Sequence, residues 1–208
     1  MAGVIIRSSP LEAAAQPLLE ALVAEYDSRY GTAGRPGGAR SEILRYPAEV
    51  YQPPLGDFLL IVRDGETIAG GAFMSHDDET VELKRIWTRA DLRRQGLAQR
   101  VVAALEEHAG RLGYTRAYLT TGFRQPEATA LYRALGYRPL FDTAADPTLY
   151  RSLPFEKPIG ARAGQAGTSP IYPPAVSFEA ATTRVLALKE VQERKVLDRL
   201  ATRRATAA

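Results

Sequence analysis

A short arginine-rich segment around one glycine is the part of this sequence best suited to bind an anion. It reads Arg93-Arg94-Gln95-Gly96-Leu97-Ala98 and joins a predicted strand to the start of a predicted helix. The first amides of a helix lack partners within the helix, and the helix dipole adds partial positive charge at that end. Gly96 would let the backbone approach a ligand closely. This combination favours a diphosphate group.

Several other kinds of site are disfavoured by the residues present. No Gly-x-x-x-x-Gly-Lys-Ser/Thr loop occurs, and no Gly-x-Gly-x-x-Gly follows the first strand, which argues against a P-loop and against a Rossmann dinucleotide site. The chain has no cysteine, so thiolate nucleophiles and disulfides are excluded. With only two histidines, His76 and His108, a histidine-rich metal centre or a Ser/His/Asp relay is disfavoured, and no metal is predicted.

Two segments carry a resemblance to a known family. The loop resembles the coenzyme A signature Arg/Gln-x-x-Gly-x-Gly/Ala of the GNAT superfamily of acetyl-CoA-dependent N-acetyltransferases, which Arg93, Gly96 and Ala98 match. Residues 125–137 resemble the second signature, which runs Asn, a few small residues, Ala-x-x-Leu-Tyr and then Leu-Gly-Phe/Tyr. Gln125 stands where Asn is usual. The resemblance covers residues 4–158 and implies the acyl-CoA N-acyltransferase (GNAT) fold.

The same resemblance implies acetyl-CoA as cosubstrate and indicates which residues hold it. In the superfamily a bulge splays the fourth strand from its neighbour, and the freed backbone groups bind the pantetheine arm. By position, residues 86–88 would make those contacts, while residues 94–99 would surround the diphosphate. The predicted cofactor-binding residues are Ile86, Trp87, Thr88, Arg93, Arg94, Gln95, Gly96, Leu97, Ala98, Gln99 and Gln125.

Two residues are predicted to act in catalysis. Tyr132, the tyrosine of the second signature, would donate a proton to the departing thiolate, and a backbone amide such as that of Ile86 would polarise the carbonyl. Glu82 falls where the histone-acetylating branch of the superfamily carries its glutamate, and it is the candidate general base. The alternatives are a water chain as base, and a surface Glu82 paired with Lys84 or Arg85. Strand alternation predicts that Glu82, Lys84 and Ile86 share one face.

The acceptor side is predicted from position alone. Residues 29–54 and the turn at 76–79 would border the acceptor pocket, although the first segment could instead only cover the core. Candidate acceptor contacts are Tyr30, Arg45, Tyr46, Glu49 and Tyr51. His108 lies on the apolar face of its predicted helix, which favours a packed core histidine. The acidic turn at 77–79 is interpreted as solvated rather than as a cation site.

Periodicity and turn residues predict one α+β domain, an α/β three-layer arrangement with a mixed, mostly antiparallel central sheet flanked by helices. Asp64-Gly65 is interpreted as a hairpin turn, and residues 31–40 as a loop. The residues Ala128, Leu131 and Leu135 are predicted to form a buried stripe with Tyr132 on its flank. Predicted strands are 4–7, 57–63, 66–74, 80–88, 116–121, 137–140 and 150–157, and predicted helices are 8–29, 41–46, 97–112, 126–135 and 177–204.

Composition changes after Pro158. Residues 159–208 carry eight Lys/Arg and four Asp/Glu, so the remaining chain, with 19 basic and 20 acidic groups, is nearly neutral and shows no charge signal for nucleic acid. We predict an acetyltransferase domain at 1–158, a linker at 159–176 and a helical extension at 177–208. Its helix would dock on its own domain or on a second copy in a homodimer. No membrane span or signal peptide is evident, which favours the cytoplasm and no membrane partner.

The predicted function is transfer of an acetyl group from acetyl-CoA to a primary amine of a small molecule or amino acid. Direct attack in a ternary complex is favoured because no cysteine or activated serine is available for an acyl-enzyme. Two alternatives stay open at this point: a protein or peptide N-terminal or lysine acetyltransferase, and a non-catalytic coenzyme-A-binding sensor or interaction module.

Overall fold

Seven strands form one mixed sheet in the order β1-β2-β3-β4-β5-β7-β6 in the computed structural model, which describes residues 3–31 and 37–207. Strands β4 and β5 run parallel, whereas the pairs β1-β2, β2-β3, β5-β7 and β6-β7 are antiparallel. The predicted mixed, mostly antiparallel sheet flanked by helices is therefore confirmed. The strands are β1 (Val4–Arg7), β2 (Gly56–Arg63), β3 (Glu66–Ser75), β4 (Thr80–Thr88), β5 (Arg116–Gly122), β6 (Arg138–Pro139) and β7 (Ser152–Pro158).

Five α-helices occur in the described residues: α1 (Gln16–Tyr30), α2 (Gly38–Ile43), α3 (Leu97–Arg111), α4 (Pro126–Ala134) and α5 (Phe178–Ala207). The predicted start of the first helix at Ser8 is wrong, since Ala13–Ala15 form a 3-10 turn and α1 begins only at Gln16. A helix from Ser8 would place Pro17 in its interior, where proline removes a backbone hydrogen bond. Helix α2 begins three residues before its predicted start. The reason is a cap from another helix, since Asp27 Oδ1 accepts a hydrogen bond from the Ala39 amide at 2.8 Å. The predicted loop at 31–40 includes residues 32–36, which lie outside the described residues.

The chain divides into two compact units, and the first comprises Met1–Met74 and Leu83–Leu112. Its β2-β3 hairpin turns at Asp64 and Gly65, both with positive φ, as the sequence predicts. Glycine in β3 allows close packing on both sides of that strand. A Cβ on Gly70 would lie 2.7 Å from the Leu18 and Leu60 side chains, and one on Gly71 would lie 2.5 Å from Ile86 Cδ1.

The second unit comprises Ser75–Glu82 and Gly113–Ala208. Strand β5 pairs with β7 along its whole length, from Arg116–Pro158 to Gly122–Ser152. Aromatic rings fill the core beside this pair. The Phe155 ring is fully buried, and its centroid lies 5.3 Å from that of Phe141 and 6.0 Å from that of Tyr132.

The segment between β7 and α5 is bound tightly within the second unit. The fully buried carboxylate of Glu156 pairs with Arg138 and accepts hydrogen bonds from the amide and hydroxyl of Ser169. Burial opposes ionisation of Glu156, but the bonds from Ser169 and Arg138 outweigh it and hold the pKa of this carboxyl below its usual range. Further along, the Ala175 amide donates to Leu149 O at 2.9 Å. None of the helices in the described part of the chain combines the length and apolarity that a membrane span requires.

Candidate active site

The start of α3 presents an open, uncapped helix terminus. Gly96 is its N-cap residue, with φ 76° and no side-chain capping bond. Among residues 3–31 and 37–207, no heavy atom would lie within 4 Å of a Cβ placed on Gly96, so these residues leave the space beside this backbone clear. The next residue, Leu97, is buried and anchors the helix in the first unit. The amides of the first turn are thus left for a ligand, the geometry that an anion site requires.

The charged side chains around this terminus are held in different ways. Arg93 Nη2 lies 3.1 Å from Glu25 Oε2 of α1, and Arg100 Nη2 donates to Gly3 O at 3.1 Å. Arg94 has φ 63°, an uncommon value for a residue other than glycine, and its side chain is exposed. A guanidinium on a tight loop beside free helix amides adds positive charge where a diphosphate would lie.

Strand β4 is irregular just before this loop. Its parallel pairing with β5 covers Thr80–Arg116 to Glu82–Tyr118, although β4 itself continues to Thr88. Arg85, within the continuing part, has φ 59°. A left-handed residue inside a strand disturbs side-chain alternation, and Lys84 and Ile86 accordingly contact different elements. The Lys84 ammonium lies over the Tyr46 ring, whereas Ile86 packs beside Gly71 in β3.

The predicted cofactor residues of β4 and the loop all lie in the first unit. Trp87 is buried and Ile86 is half-buried. The Thr88 hydroxyl is buried with no hydrogen-bond partner among the described residues, so a buried polar atom stands directly before the loop. A bound ligand that donates or accepts a hydrogen bond there would satisfy this hydroxyl. Together with the clear space beside Gly96, these residues fit a long ligand that ends in phosphate groups.

Glu82 lies in the second unit with two aromatic neighbours that the sequence did not indicate. Its side chain is buried, with 5% of the residue exposed, and it pairs in register with Tyr118 of β5. The His76 ring lies 5.1 Å from the Tyr118 ring, between centroids. Burial lowers the pKa of His76, although the negative charges of Glu82 and Asp77 partly offset it. Burial, followed by the charge of Glu82, raises the pKa of Tyr118.

His76 therefore presents a neutral imidazole at pH 7, and its Nδ1 is buried without a hydrogen-bond partner among the described residues. The sequence shows His76 only as the first residue of a turn. Its proximity to Glu82 depends on the parallel pairing of β4 with β5, since that pairing brings Tyr118 beside β4. No local motif encodes this pairing, which explains why the three residues were not grouped from the sequence.

Tyr132 and Gln125 lie at the two ends of α4, also in the second unit. Tyr132 is buried in α4, with 7% of the residue exposed, whereas Ala128, Leu131 and Leu135 are only half-buried. The predicted stripe with Tyr132 on its flank is therefore wrong. The Tyr132 ring packs against Phe155 and Tyr137, which fixes the side chain.

Gln125 is the N-cap residue of α4, and its side chain serves the protein itself. Its Oε1 accepts from the Gly122 amide at 3.0 Å and from the Thr121 hydroxyl at 3.2 Å. These bonds close the turn between β5 and α4. The side-chain oxygen that a cofactor contact would use is thereby engaged with the protein.

Two of the predicted acceptor residues of the first unit, Tyr46 and Tyr51, contact the middle of β4. The Arg85 guanidinium lies 4.3 Å from the centroid of the buried Tyr51 ring, and Arg45 pairs with Glu42 at 3.1 Å. Tyr30 packs edge-on against Tyr26. Glu49 lies in the same 3-10 turn as Tyr51.

The acidic turn lies in the second unit and is internally bonded. Asp77 Oδ1 accepts from the amides of Glu79 and Thr80 at 3.0 and 2.7 Å, and Asp78 pairs with Arg199 at 2.5 Å. Burial opposes ionisation of Asp77, but these bonds outweigh it and lower its pKa. A cavity of about 470 Å³ lies beside this turn, and its lining shares no residue with the predicted cofactor or catalytic sets.

His108 differs from its prediction as a core residue. It is half-buried in the first unit, and its Nδ1 lies 2.8 Å from Asp57 Oδ2. Asp57 is fully buried and is also held by Arg7 through two bonds of 2.8 and 2.7 Å. A buried carboxylate requires such partners, so the apolar helix face is interrupted here by an ion-pair cluster.

Comparison with known proteins agrees with this geometry. Residues 19–137 match the model of the Acetyltransferase (GNAT) family. The chain is 26% identical over 125 residues to the uncharacterized N-acetyltransferase YjgM of Escherichia coli (strain K12), covering 58% of this chain and 75% of that one. A protein from Klebsiella pneumoniae assigned as an acyl-CoA N-acyltransferase is 26% identical, with a TM-score of 0.57, covering 76% of this chain and 97% of that one.

A more distant structure has the same fold. The PaiA N-acetyltransferase of Thermoplasma acidophilum, solved in complex with coenzyme A, is 13% identical, with a TM-score of 0.55 over 74% of this chain and 99% of that one. Since the family model spans more than half of the chain, the protein belongs to the GNAT acetyltransferase family and is an N-acetyltransferase.

Proposed function

We infer that this protein transfers an acetyl group from acetyl-CoA to a primary amine of a small molecule or amino acid, by direct attack in a ternary complex. The observation that carries the proposal is the uncapped start of α3, where Gly96 has φ 76° and clear space beside it. The coenzyme A bound to the Thermoplasma relative supports the choice of cosubstrate. The amides of residues 97–99 and the Arg94 guanidinium would hold the diphosphate.

Acetyl-CoA supplies an activated thioester, and the protein's residues would orient the reactants and move protons. The β4 residues Ile86, Trp87 and Thr88 would hold the pantetheine arm, with the orphaned Thr88 hydroxyl as one polar contact. The Ile86 amide, directly after the left-handed Arg85, would polarise the carbonyl. Gln125 would contribute by holding the turn before α4.

Proton transfer is assigned to two residues of the second unit. Glu82 would take the proton that the amine loses on attack, directly or through water. It is buried, and neighbouring His76 is neutral, so no imidazolium charge competes for the carboxylate. Tyr132 would donate its hydroxyl proton to the departing thiolate, from a ring fixed between Tyr137 and Phe155.

The first test is binding and turnover. Coenzyme A should raise the melting temperature of the protein, and a panel of small amines with acetyl-CoA should include substrates that release free thiol. Acetylation of peptides but of no small amine would favour the protein acetyltransferase alternative. A melting temperature raised by coenzyme A without thiol release from any acceptor would favour the sensor alternative.

The second test concerns Tyr132. Loss of a general acid typically costs about 100- to 10,000-fold, so Tyr132→Phe should lower kcat by that range with little change in KM. Tyr137→Phe is the matched control, because it removes the hydroxyl of a buried tyrosine whose ring lies 5.6 Å away. Equal kcat values for the two variants would show that Tyr132 does not protonate the leaving group.

A further inference from the structure

We propose that Arg85 binds a carboxylate of the acceptor, so that the physiological substrate is an amino acid or another amine that carries an acidic group. This inference rests on the proposed function and narrows its substrate class. It is carried by the backbone, the contacts and the charge balance of Arg85, which lies in the middle of β4 in the first unit.

The backbone of Arg85 is strained in a way that glycine would relieve. Its φ is 59° within a strand, a left-handed conformation that is unfavourable for a residue with a side chain. Strain of this kind concentrates at binding and catalytic sites. The side chain of Arg85 contacts the end of α2 and the buried Tyr51 ring.

Two contacts hold the guanidinium in one orientation. Its Cζ lies 4.3 Å from the centroid of the Tyr51 ring, and Nη2 donates a hydrogen bond to the Ile43 carbonyl at the end of α2. Nη1, by contrast, is buried and has no hydrogen-bond partner among the described residues. A fixed planar guanidinium with one donor left without a partner has the hydrogen-bonding geometry that recognises a carboxylate.

Charge balance points to an external anion. Arg85 takes part in none of the ion pairs found in the described parts of the chain. Other arginines of this unit do have acidic partners: Arg7 with Asp57, Arg40 with Glu20, Arg45 with Glu42 and Arg89 with Glu66. Residues 1, 2, 32–36 and 208, which lie outside the described ranges, contain no aspartate or glutamate. A half-buried cation without a counterion is costly, and a ligand carboxylate would relieve that cost.

An anion in this part of the molecule could also be a phosphate of the cosubstrate. Arg85 is separated from the Gly96 terminus by ten residues, and its contacts are with Ile43 and Tyr51, which belong to the predicted acceptor side. We therefore assign the carboxylate to the acceptor. The dissociation constant of coenzyme A for Arg85→Gln tests this choice directly, because a role in cosubstrate binding would weaken it.

The experiment compares the common amino acids with their carboxamides as acceptors, using wild type, Arg85→Gln and Arg85→Lys. A charged hydrogen-bonded contact corresponds to about 10- to 100-fold, so wild type should show a KM lower by that factor for the acids. Arg85→Gln should raise KM for the acids by about 10- to 100-fold and leave the carboxamides unchanged. The effect of each substitution is expressed as the KM of the variant relative to that of wild type, and in this ratio the different amine pKa values of acid and amide cancel.

Arg40→Gln is the matched control, since it removes a paired, exposed arginine from the same unit and should change neither substrate class. Arg85→Lys retains the charge without the planar fork and should give an intermediate KM. If Arg85→Gln does not fold, two measurements still test whether Arg85 binds the acceptor carboxylate. They are the wild-type preference for acids over carboxamides and the KM values of Arg85→Lys for both.

Three results would overturn the proposal: wild type using carboxamides as well as acids, Arg85→Gln raising KM equally for both, or Arg85→Gln weakening coenzyme A binding. Failure of the underlying function would look different. In that case no amine would release thiol and coenzyme A would not shift the melting temperature of wild type, and the carboxylate site would be refuted together with it.

Discussion

Burial of the His76 imidazole makes the stability of the protein depend on pH. Its ordinary pKa is 6.5, and burial lowers that value in the folded protein. Between the folded pKa and pH 6.5 the unfolded chain therefore binds more protons than the folded one. Protonation then favours unfolding, so the stability of the protein falls as the pH decreases below about 6.5.

We expect His76→Gln to flatten this dependence. The free energy of unfolding of wild type should decrease between pH 6.5 and pH 5, with a slope of at most about 1.4 kcal/mol per pH unit for one proton. The variant should show a smaller slope in the same window, measured by urea unfolding at several pH values. If the free energy of unfolding changed with pH by the same slope in wild type and in His76→Gln, this result would contradict a lowered pKa of His76.

Single residues could be predicted from sequence where one local motif defines their position. Gly96 is such a case, because the loop motif places it at a helix start, and the structure has it there with positive φ. His108 could not be predicted correctly, since its partner Asp57 lies 51 residues away. Arg85 gave no sequence signal beyond its charge, because its left-handed backbone is invisible in the sequence.

At the scale of one helix, the two ends of α3 offer a controlled comparison. Gly96 precedes the helix with φ 76° and Gly113 follows it with φ 93°. At both positions an added Cβ would meet no atom of the described part of the chain within 4 Å. Valine at either position should cost about 1–2 kcal/mol of backbone strain. Only at Gly96 would it place bulk beside the amides assigned to the diphosphate.

Gly96→Val should therefore raise the dissociation constant of coenzyme A by at least about 10-fold, the effect of losing one charged hydrogen bond. Gly113→Val should bind as wild type does, with a similar decrease in melting temperature. Isothermal titration calorimetry measures the dissociation constant of coenzyme A for both variants. Equal weakening in the two variants, or none in Gly96→Val, would mean that the start of α3 does not bind the phosphates.

Elements were predicted well where periodicity is strong and poorly where other parts of the chain decide the ends. The apolar face of α3 defines that helix, since Val101, Leu105 and Ala109 are all buried. Helix α2 was displaced because its cap comes from Asp27 of α1. The buried face of α4 was misassigned because Tyr132 packs on Phe155 of β7, a contact that only the tertiary structure creates.

At the scale of the whole molecule, the chain after Pro158 is bound to the second unit through several elements. Glu156 holds Ser169, Tyr150 Oη donates to Tyr172 O at 3.1 Å, and Arg199 pairs with Asp78. Composition alone predicted a linker in this segment, because its content of glycine and proline does not reveal the specific bonds that it makes. The division into a domain at 1–158, a linker and a helical extension stays a prediction, as does homodimer formation.

Helix α5 provides the matched pair that tests its docking, because Leu200 is 3% exposed and Leu197 is 42% exposed. Leu200→Ala should lower the free energy of unfolding by about 2–5 kcal/mol, the range for a buried leucine. Leu197→Ala should stay within about 0.5 kcal/mol if α5 docks only on its own unit. If α5 instead joins two copies of the chain, Leu197→Ala should lower the melting temperature by an amount that depends on protein concentration, and it should lower the mass in solution. Equally small effects of both substitutions, with unchanged mass, would contradict docking of α5 on either surface.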